Sequence, residues 1–270
     1  MCRSLFVTAL LLSVAAPAAA QQPRVVNGTI TAQPPGASLQ ATFRALVERQ
    51  SDPAWIGYTV PAAKGTGTSC WSDTHGQGVT VARLEGPTSI FVLYRVEGKT
   101  VGKIRFYSDD CELDAGGVPL YWLDGIKAAE SIALLSGFIS GTERSTDRLA
   151  NSALGALAAH ADPASVPALL KFARQDPSPR VRGDALFWVA HKAGQRAVPE
   201  ITAAIENDPD TDVKRRAVFA LSQLPKDEGI PLLIQVAKSN RNPAVRKQAM
   251  FWLGQSKDPR ALEFFEQILR

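Results

Sequence analysis

The sequence predicts a small disulfide-bonded α+β domain followed by an all-α solenoid, and three observations carry that reading. A phrase recurs at fixed spacing: "VRGDALFWVAH" at 181–191 returns as "VKRRAVFALSQ" at 213–223 and as "VRKQAMFWLGQ" at 245–255, each copy starting 32 residues after the last. Helix pairs at a short fixed period stack, because no single pair buries its own apolar face. Ahead of the repeats, residues 54–123 are rich in β-branched and aromatic residues, in places strictly alternating, as strands are. Two cysteines, Cys70 and Cys111, lie within that stretch.

The first twenty residues read as an export signal. Arg3 supplies a positive start, Leu5 to Ala16 is an almost unbroken apolar run, and Ala18-Ala19-Ala20 fits the small-x-small cleavage rule. The run is too short to span a bilayer and no second one follows, so no integral membrane span is expected. Cleavage near Ala20 leaves a mature chain of about 250 residues, exported to a periplasm or beyond the cell. In such a compartment Cys70 and Cys111 are most economically read as a disulfide.

Charge excludes more than it suggests. With Arg3 removed, 29 basic residues face 26 acidic ones, a net of +3 spread thinly. The densest basic run, Lys214-Arg215-Arg216, follows Asp208, Asp210 and Asp212 and reads as dipole-matched, solvated helix charge. Nucleic acid is therefore not expected as a partner.

Along the chain, residues 21–36 are Pro, Gly and Thr rich and read as a flexible lead-in, with a glycosylation sequon at Asn27-Gly28-Thr29. "SLQATFRALVER" places Leu39, Phe43, Leu46 and Val47 on one helical face. "WIGYTVP", "GVTVARLEG", "VPLYWL" and the two halves of "SIFVLYRVEGKTVGKIRFY" read as short antiparallel strands, the last pair turning at Glu97-Gly98-Lys99. The expected α+β domain runs from 37 to 125.

From 126 to 270 the pattern is helical. At the 32-residue period Leu149, Val181, Val213 and Val245 align, as do Ala153, Ala185, Ala217 and Ala249. The position of Ala158, Ala190, Ser222 and Gly254 is always small, which lets neighbouring helices approach. A second helix follows in each unit, three with Pro in the first turn (Pro167, Pro199, Pro231). "DPSP", "DPDTD" and "RNP" supply caps and chain breaks. "IKAAESIALLSGFIS" fits as a half-repeat cap before four repeats.

The pattern D-P-x-x-x-V-R-x-x-A-x-x-x-L followed by V-P-x-L resembles the short HEAT-like repeat associated with phycobilisome lyases. Asp176-Pro177, Val181-Arg182 and Ala185 carry the resemblance, as do Asp208-Pro209, Val213-Lys214 and Ala217, and then Val245-Arg246 and Ala249. It covers about 125 of the mature residues and implies fold more than function, because the same repeat serves lyase subunits and scaffolds. No lyase active site can be carried over, and the front domain resembles no family of known activity.

In stacks of this kind the second helices are expected to line the concave face. With Val166, Leu169, Leu170 and Ala173 buried, the opposite face holds Lys171, Phe172 and Gln175, then at the repeat spacing Glu200 and Asn207, Leu232, Gln235 and Val236, and Phe264, Gln267 and Ile268. An apolar track edged by amides and charges reads as a protein-binding groove. Arg182, Lys214 and Arg246 recur at the period and are expected to form inter-repeat contacts.

The most enzyme-like stretch is "SDDCELDAGG". Asp109, Asp110, Glu112 and Asp114 could ligate Ca²⁺, but the glycine falls one position late for an EF-hand and position 121 is Tyr. Solvated acids on a disulfide-pinned turn are the expectation. His75 lies beside Asp73 with too few neighbours for zinc, and Ser72, His75 and Asp73 lack a nucleophile-elbow context. No metal, no cofactor and no catalytic residue are expected. The favoured function is protein–protein interaction through the solenoid. The alternatives are an enzyme or ligand-binding site in the front domain near Asp110, Asp114 and His75, or a lyase-like subunit.

Overall fold

The computed structural model describes residues 22–34, 36–64, 70, 88–139 and 144–270. The export signal, the strand expected within 78–86 and the Ser72, Asp73, His75 group lie outside the described residues.

The front of the chain forms β1 (Arg24–Val26), β2 (Ile30–Gln33), α1 (Leu39–Arg49), β3 (Ala54–Pro61), β4 (Ser89–Glu97), β5 (Thr100–Ser108), β6 (Glu112–Asp114) and β7 (Leu120–Leu123). Five strands make one sheet in the order β2-β7-β3-β4-β5, and β1 pairs separately with β6. The expected antiparallel sheet is mixed. β3, β4 and β5 are antiparallel, but β7 inserts between β2 and β3 and runs parallel to both. The expected hairpin is present: Gly98 and Lys99 both have positive φ, at 53° and 62°, as a two-residue type I′ turn requires.

The lead-in expected to be flexible is instead structured, supplying β1 and β2. Val25, Val26, Ile30 and Thr31 are β-branched, and the Asn27-Gly28 pair that suggested a linker makes the turn between the two strands. Asn27 takes φ 53° there, and a Cβ on Gly28 would meet the Ala115 Cβ at 2.5 Å. The Asn27 side chain donates to Asp114 Oδ2 at 3.2 Å.

Both faces of the sheet are covered, which explains why "IFVLY" in β4 is a continuous apolar run. Ile56, Tyr58, Val60, Ile90, Val92, Tyr94 and Ile104 face the helices. Phe91, Leu93, Leu120 and Trp122 face the other way, toward Cys111 and Leu113. Cys70 and Cys111 are joined by a disulfide, S–S 2.05 Å, that pins this second face.

The helical half comprises α2 (Ala128–Ser136), α3 (Arg144–Ala159), α4 (Ser165–Gln175), α5 (Pro179–Ala193), α6 (Val198–Asn207), α7 (Thr211–Ser222), α8 (Lys226–Ser239), α9 (Pro243–Ser256) and α10 (Pro259–Leu269). A 3₁₀ turn at Gly194–Ala197 joins α5 to α6. The loops obey the capping chemistry of their short polar residues. Ser178, Asp210 and Asn242 each accept from the first turn of the following helix. Asp176, Asp208 and Asn240, two residues before each cap, accept the cap's own N–H at 2.9 Å.

The sheet and the repeats share one continuous core, running from Leu39 and Phe43 through Tyr58 and Leu135 to Phe264. The expected half-repeat cap, α2, packs on α1 and β3 as well as on α3. Chain pairing reinforces the junction: Ala161 N–H bonds to Pro61 O at 2.9 Å and Ala63 N–H to Ala159 O at 2.8 Å. Beside it a buried polar relay crosses from sheet to solenoid. His160 Nδ1 lies 2.7 Å from the Ala156 carbonyl, which can only accept, so Nδ1 carries the proton and Nε2 accepts from the Ser131 hydroxyl at 2.9 Å. Ser131 Oγ in turn accepts from Tyr58 at 2.7 Å, and Tyr58 from Tyr94 at 2.8 Å.

Candidate functional site

The two helix layers are not equivalent. α3, α5, α7 and α9 pack each on the next, whereas α4 and α6, and α6 and α8, make little contact in succession. The first helices thus form one closely packed layer, here the inner layer, and the second helices the other, the outer layer. The second helices are the ones expected to line the concave face and to offer an exposed apolar track there.

Burial corrects the exposed apolar track. Phe172, Val236 and Phe264 are buried, and Leu232 is half-buried against the core. α4, α6 and α8 each pack on the first helix of their own unit and of the next, and α10 on α9 and α8, so the apolar stripe is wider than one row. Phe264 also lies under the Lys238 ammonium, 5.5 Å from its ring centroid. Lys171, Gln175, Asn207, Gln235 and Gln267 are exposed as expected. Glu200 is half-buried and receives Arg174 Nε at 2.7 Å across α4 and α6, an ion pair and not an open ligand. The apolar track on this layer is therefore absent among the described residues of α4, α6 and α8; exposed apolar surface persists only on α10, at Leu262, Ile268 and Leu269.

The inner layer carries a surface the sequence reading passed over. Phe187, Phe219 and Phe251 occupy one repeat position, and Trp188 and Trp252 the next. Their rings form a continuous row with Phe106 of β5. Phe106 meets Trp188 at 6.5 Å between centroids, Trp188 meets Phe187 at 5.0 Å, and Phe187 stacks on Phe219 at 5.6 Å with planes 3° apart. Phe219 then meets Trp252 at 4.9 Å, and Trp252 meets Phe251 at 4.9 Å. Phe106, Phe187, Trp188, Phe219 and Trp252 are half-buried, while Phe251 is 52% exposed. Part of the apolar surface of the first helices thus stays open.

Neighbouring residues hold the row in place. Gly155 on α3 gives room to two rings: a Cβ there would meet Trp188 at 2.8 Å and Phe106 at 2.9 Å. Trp188 Nε1 donates to Asn151 Oδ1 at 3.2 Å. His191 stacks on Phe187 at 6.3 Å with planes 14° apart. Arg216 pairs with Asp184 one repeat earlier, and Arg215 bonds Asp212 at 3.2 Å and reaches Gln248 at 3.4 Å.

The repeat cations Arg182, Lys214 and Arg246 lie apart from this face. Arg182 alone forms the expected inter-repeat pair, holding Asp208 through Nε at 2.8 Å and Nη2 at 3.0 Å. Lys214 bonds the Glu206 carbonyl at 2.7 Å and Arg246 the Asn240 carbonyl at 2.8 Å, each just before its own helix. Burial pushes the Asp208 carboxyl up, but Arg182 and the Asp210 N–H together hold it below the ordinary range.

On the second face of the sheet, a cleft of about 330 Å³ is lined by Trp55, Lys103, Arg105, Tyr107, Asp114 and the disulfide. Asp114 thus reaches the cleft and Asp110 does not line it. Asp110 lies beside the two sulfurs, but both are consumed by the disulfide and neither is a free metal ligand.

Residues 198–270 match the HEAT repeats family. The helix pairs ahead of that span, from α3 onward, repeat the same pattern and stacking. Among solved structures, the chain is similar to the complex of CpcE and CpcF of phycocyanin lyase from Nostoc sp., at 18% identity over 52% of this chain and 89% of that one, TM-score 0.41. It is also similar to YibA of E. coli, at 22% identity over 53% of this chain and 54% of that one, TM-score 0.36. Among curated proteins none matches the sequence. No helix among the described residues is long and apolar enough to cross a membrane.

Proposed function

We propose that this chain is an exported, non-enzymatic binding scaffold that engages a protein partner through the inner face of its HEAT-like array. The aromatic row from Phe106 to Phe251 carries the reading. Open apolar rings bordered by arginines and amides are the composition of interface cores, and the row spans three successive first helices and the sheet. The leader-like start of the sequence and the Cys70–Cys111 disulfide support export, since disulfides persist in oxidising compartments. The sheet, sharing one core with the array, acts as its rigid front cap.

The test is capture from the native exported fraction. Wild-type protein is compared with a Phe219→Ser, Phe251→Ser variant and a Gln235→Ser, Gln267→Ser variant, all shown by circular dichroism to be folded. Loss of the captured partner in the first variant alone supports the inner face. Equal capture by all three removes it.

A second reading, a small-ligand site in the front domain, is favoured by one observation. The cleft on the sheet's second face combines Trp55 with cationic Lys103 and Arg105 and acidic Asp114. Chemical-shift changes confined to Trp55 and Tyr107 in a fragment screen are the expected signature of that reading.

A further inference from the structure

Resting on the inner face as the binding surface, we propose that it takes an extended acidic peptide segment with interspersed aromatic side chains. One edge of the aromatic row is basic: Arg148, Arg180, Arg215, Arg216 and Lys247 border it, against two carboxylates, Asp184 and Asp212. The other edge is His191, Gln223 and Gln255, all exposed. An anionic ligand lying along the row therefore meets an excess of positive charge on one side and hydrogen-bonding groups on the other. Arginine is suited to carboxylates because its fork of N–H donors matches them two for two.

The ring geometry separates a peptide from a nucleic acid. Phe187 lies parallel to both Phe219 and His191, 3° and 14° from their planes, so ring faces in the middle of the row are engaged by neighbouring protein rings. Base binding needs open ring faces. Ring edges carry the positive side of the aromatic quadrupole and suit carbonyl and carboxylate oxygens. Rings about 5 to 6 Å apart along the row make a shallow track, which fits an extended chain whose alternate side chains contact it and not a compact small molecule.

The experiment uses the intact mature protein and fluorescent random copolymers at physiological salt. Poly(Glu,Tyr) is expected to bind, with at least tenfold weaker binding for the exposed double variant Arg215→Gln, Lys247→Gln and for Phe251→Ser, and with loss on raising the salt. Poly(Glu) is expected to bind at least tenfold more weakly, and poly(Lys,Tyr) not at all. Absence of poly(Glu,Tyr) binding overturns the proposal, as does equal binding of poly(Glu), of single-stranded DNA or of anionic lipid vesicles. If the copolymer fails while a native partner still crosslinks at Phe251, the face stands and only the acidic-peptide chemistry falls. If neither occurs, both fall.

Discussion

The Ser131 hydroxyl donates to Nε2 of His160 at 2.9 Å, and both side chains are fully buried. This bond ties α2 to the end of α3 and, through Tyr58, ties both to the sheet. Ser131→Ala removes the middle of the relay and leaves Tyr58 and His160 each short of a partner. The expected cost is about 1–3 kcal/mol, the penalty for a buried unmet polar group. Urea denaturation checks it. Because one core spans sheet and repeats, the variant is also expected to unfold in a single transition at a lower midpoint.

His160 gives the stability a defined pH dependence. Burial, aided by the nearby Lys192 ammonium and opposed by the Ala156 carbonyl and Asp162, holds its folded-state pKa below the ordinary 6.5. As pH falls, the unfolded chain takes up the proton first, so stability is full above about pH 6.5 and is lost progressively below it. Asp208 is shifted below its ordinary 3.8, so its contribution is lost only in stronger acid. The window from pH 6.5 down to 5 therefore reports the imidazole. Denaturation midpoints measured across it are expected to fall for wild type and to stay flatter for His160→Gln.

The disulfide closes a loop of 41 residues, which on the chain-entropy estimate stabilises the fold by about 4 kcal/mol. Cys111→Ser is expected to lower the denaturation midpoint accordingly, as is reduction of the wild type. Loss of the bridge is expected to leave capture through the inner face unchanged in the folded fraction, because the disulfide sits on the sheet's opposite face.

Arg182 and its repeat equivalents are expected to differ sharply when replaced by methionine. Arg182 is 11% exposed and Asp208 8% in their bidentate pair, so Arg182→Met strands a shielded carboxylate at a cost of about 2 kcal/mol or more. Lys214→Met and Arg246→Met lose only bonds to main-chain carbonyls, the first exposed and the second part-buried, about 1 kcal/mol each. Calorimetric melting of the three variants orders them.

The repeat array was legible because its signal is periodic. Val181, Ala185 and Val189 and their 32-residue equivalents are buried, Leu149 alone only partly, and the caps at Ser178, Asp210 and Asn242 follow from short polar residues at the breaks. The strands β1 and β2 were not legible, because their pairing depends on β6 and β7, some 90 residues away, while their local composition is that of a loop. The apolar residues of the second helices were misassigned for a related reason. Amphipathicity tells which residues of one helix are apolar, but not how many neighbours grip it. Phe172 and Phe264 are apolar because two helices cover each, whereas Phe187 and Phe219 are equally apolar and remain partly open. The one available signal was the phrase itself, which repeats Phe at 187, 219 and 251 where core packing is already met by Leu186, Val218 and Met250.

The most direct test of the inner face places a photocrosslinking phenylalanine analogue at Phe251, on the aromatic row, or at Gln235, on the outer layer. Both positions are exposed, so neither change disturbs packing. Irradiation in a native extract is expected to give one discrete partner adduct from position 251 and none from position 235. An adduct from 235 alone would contradict the assignment and return the binding surface to the second helices.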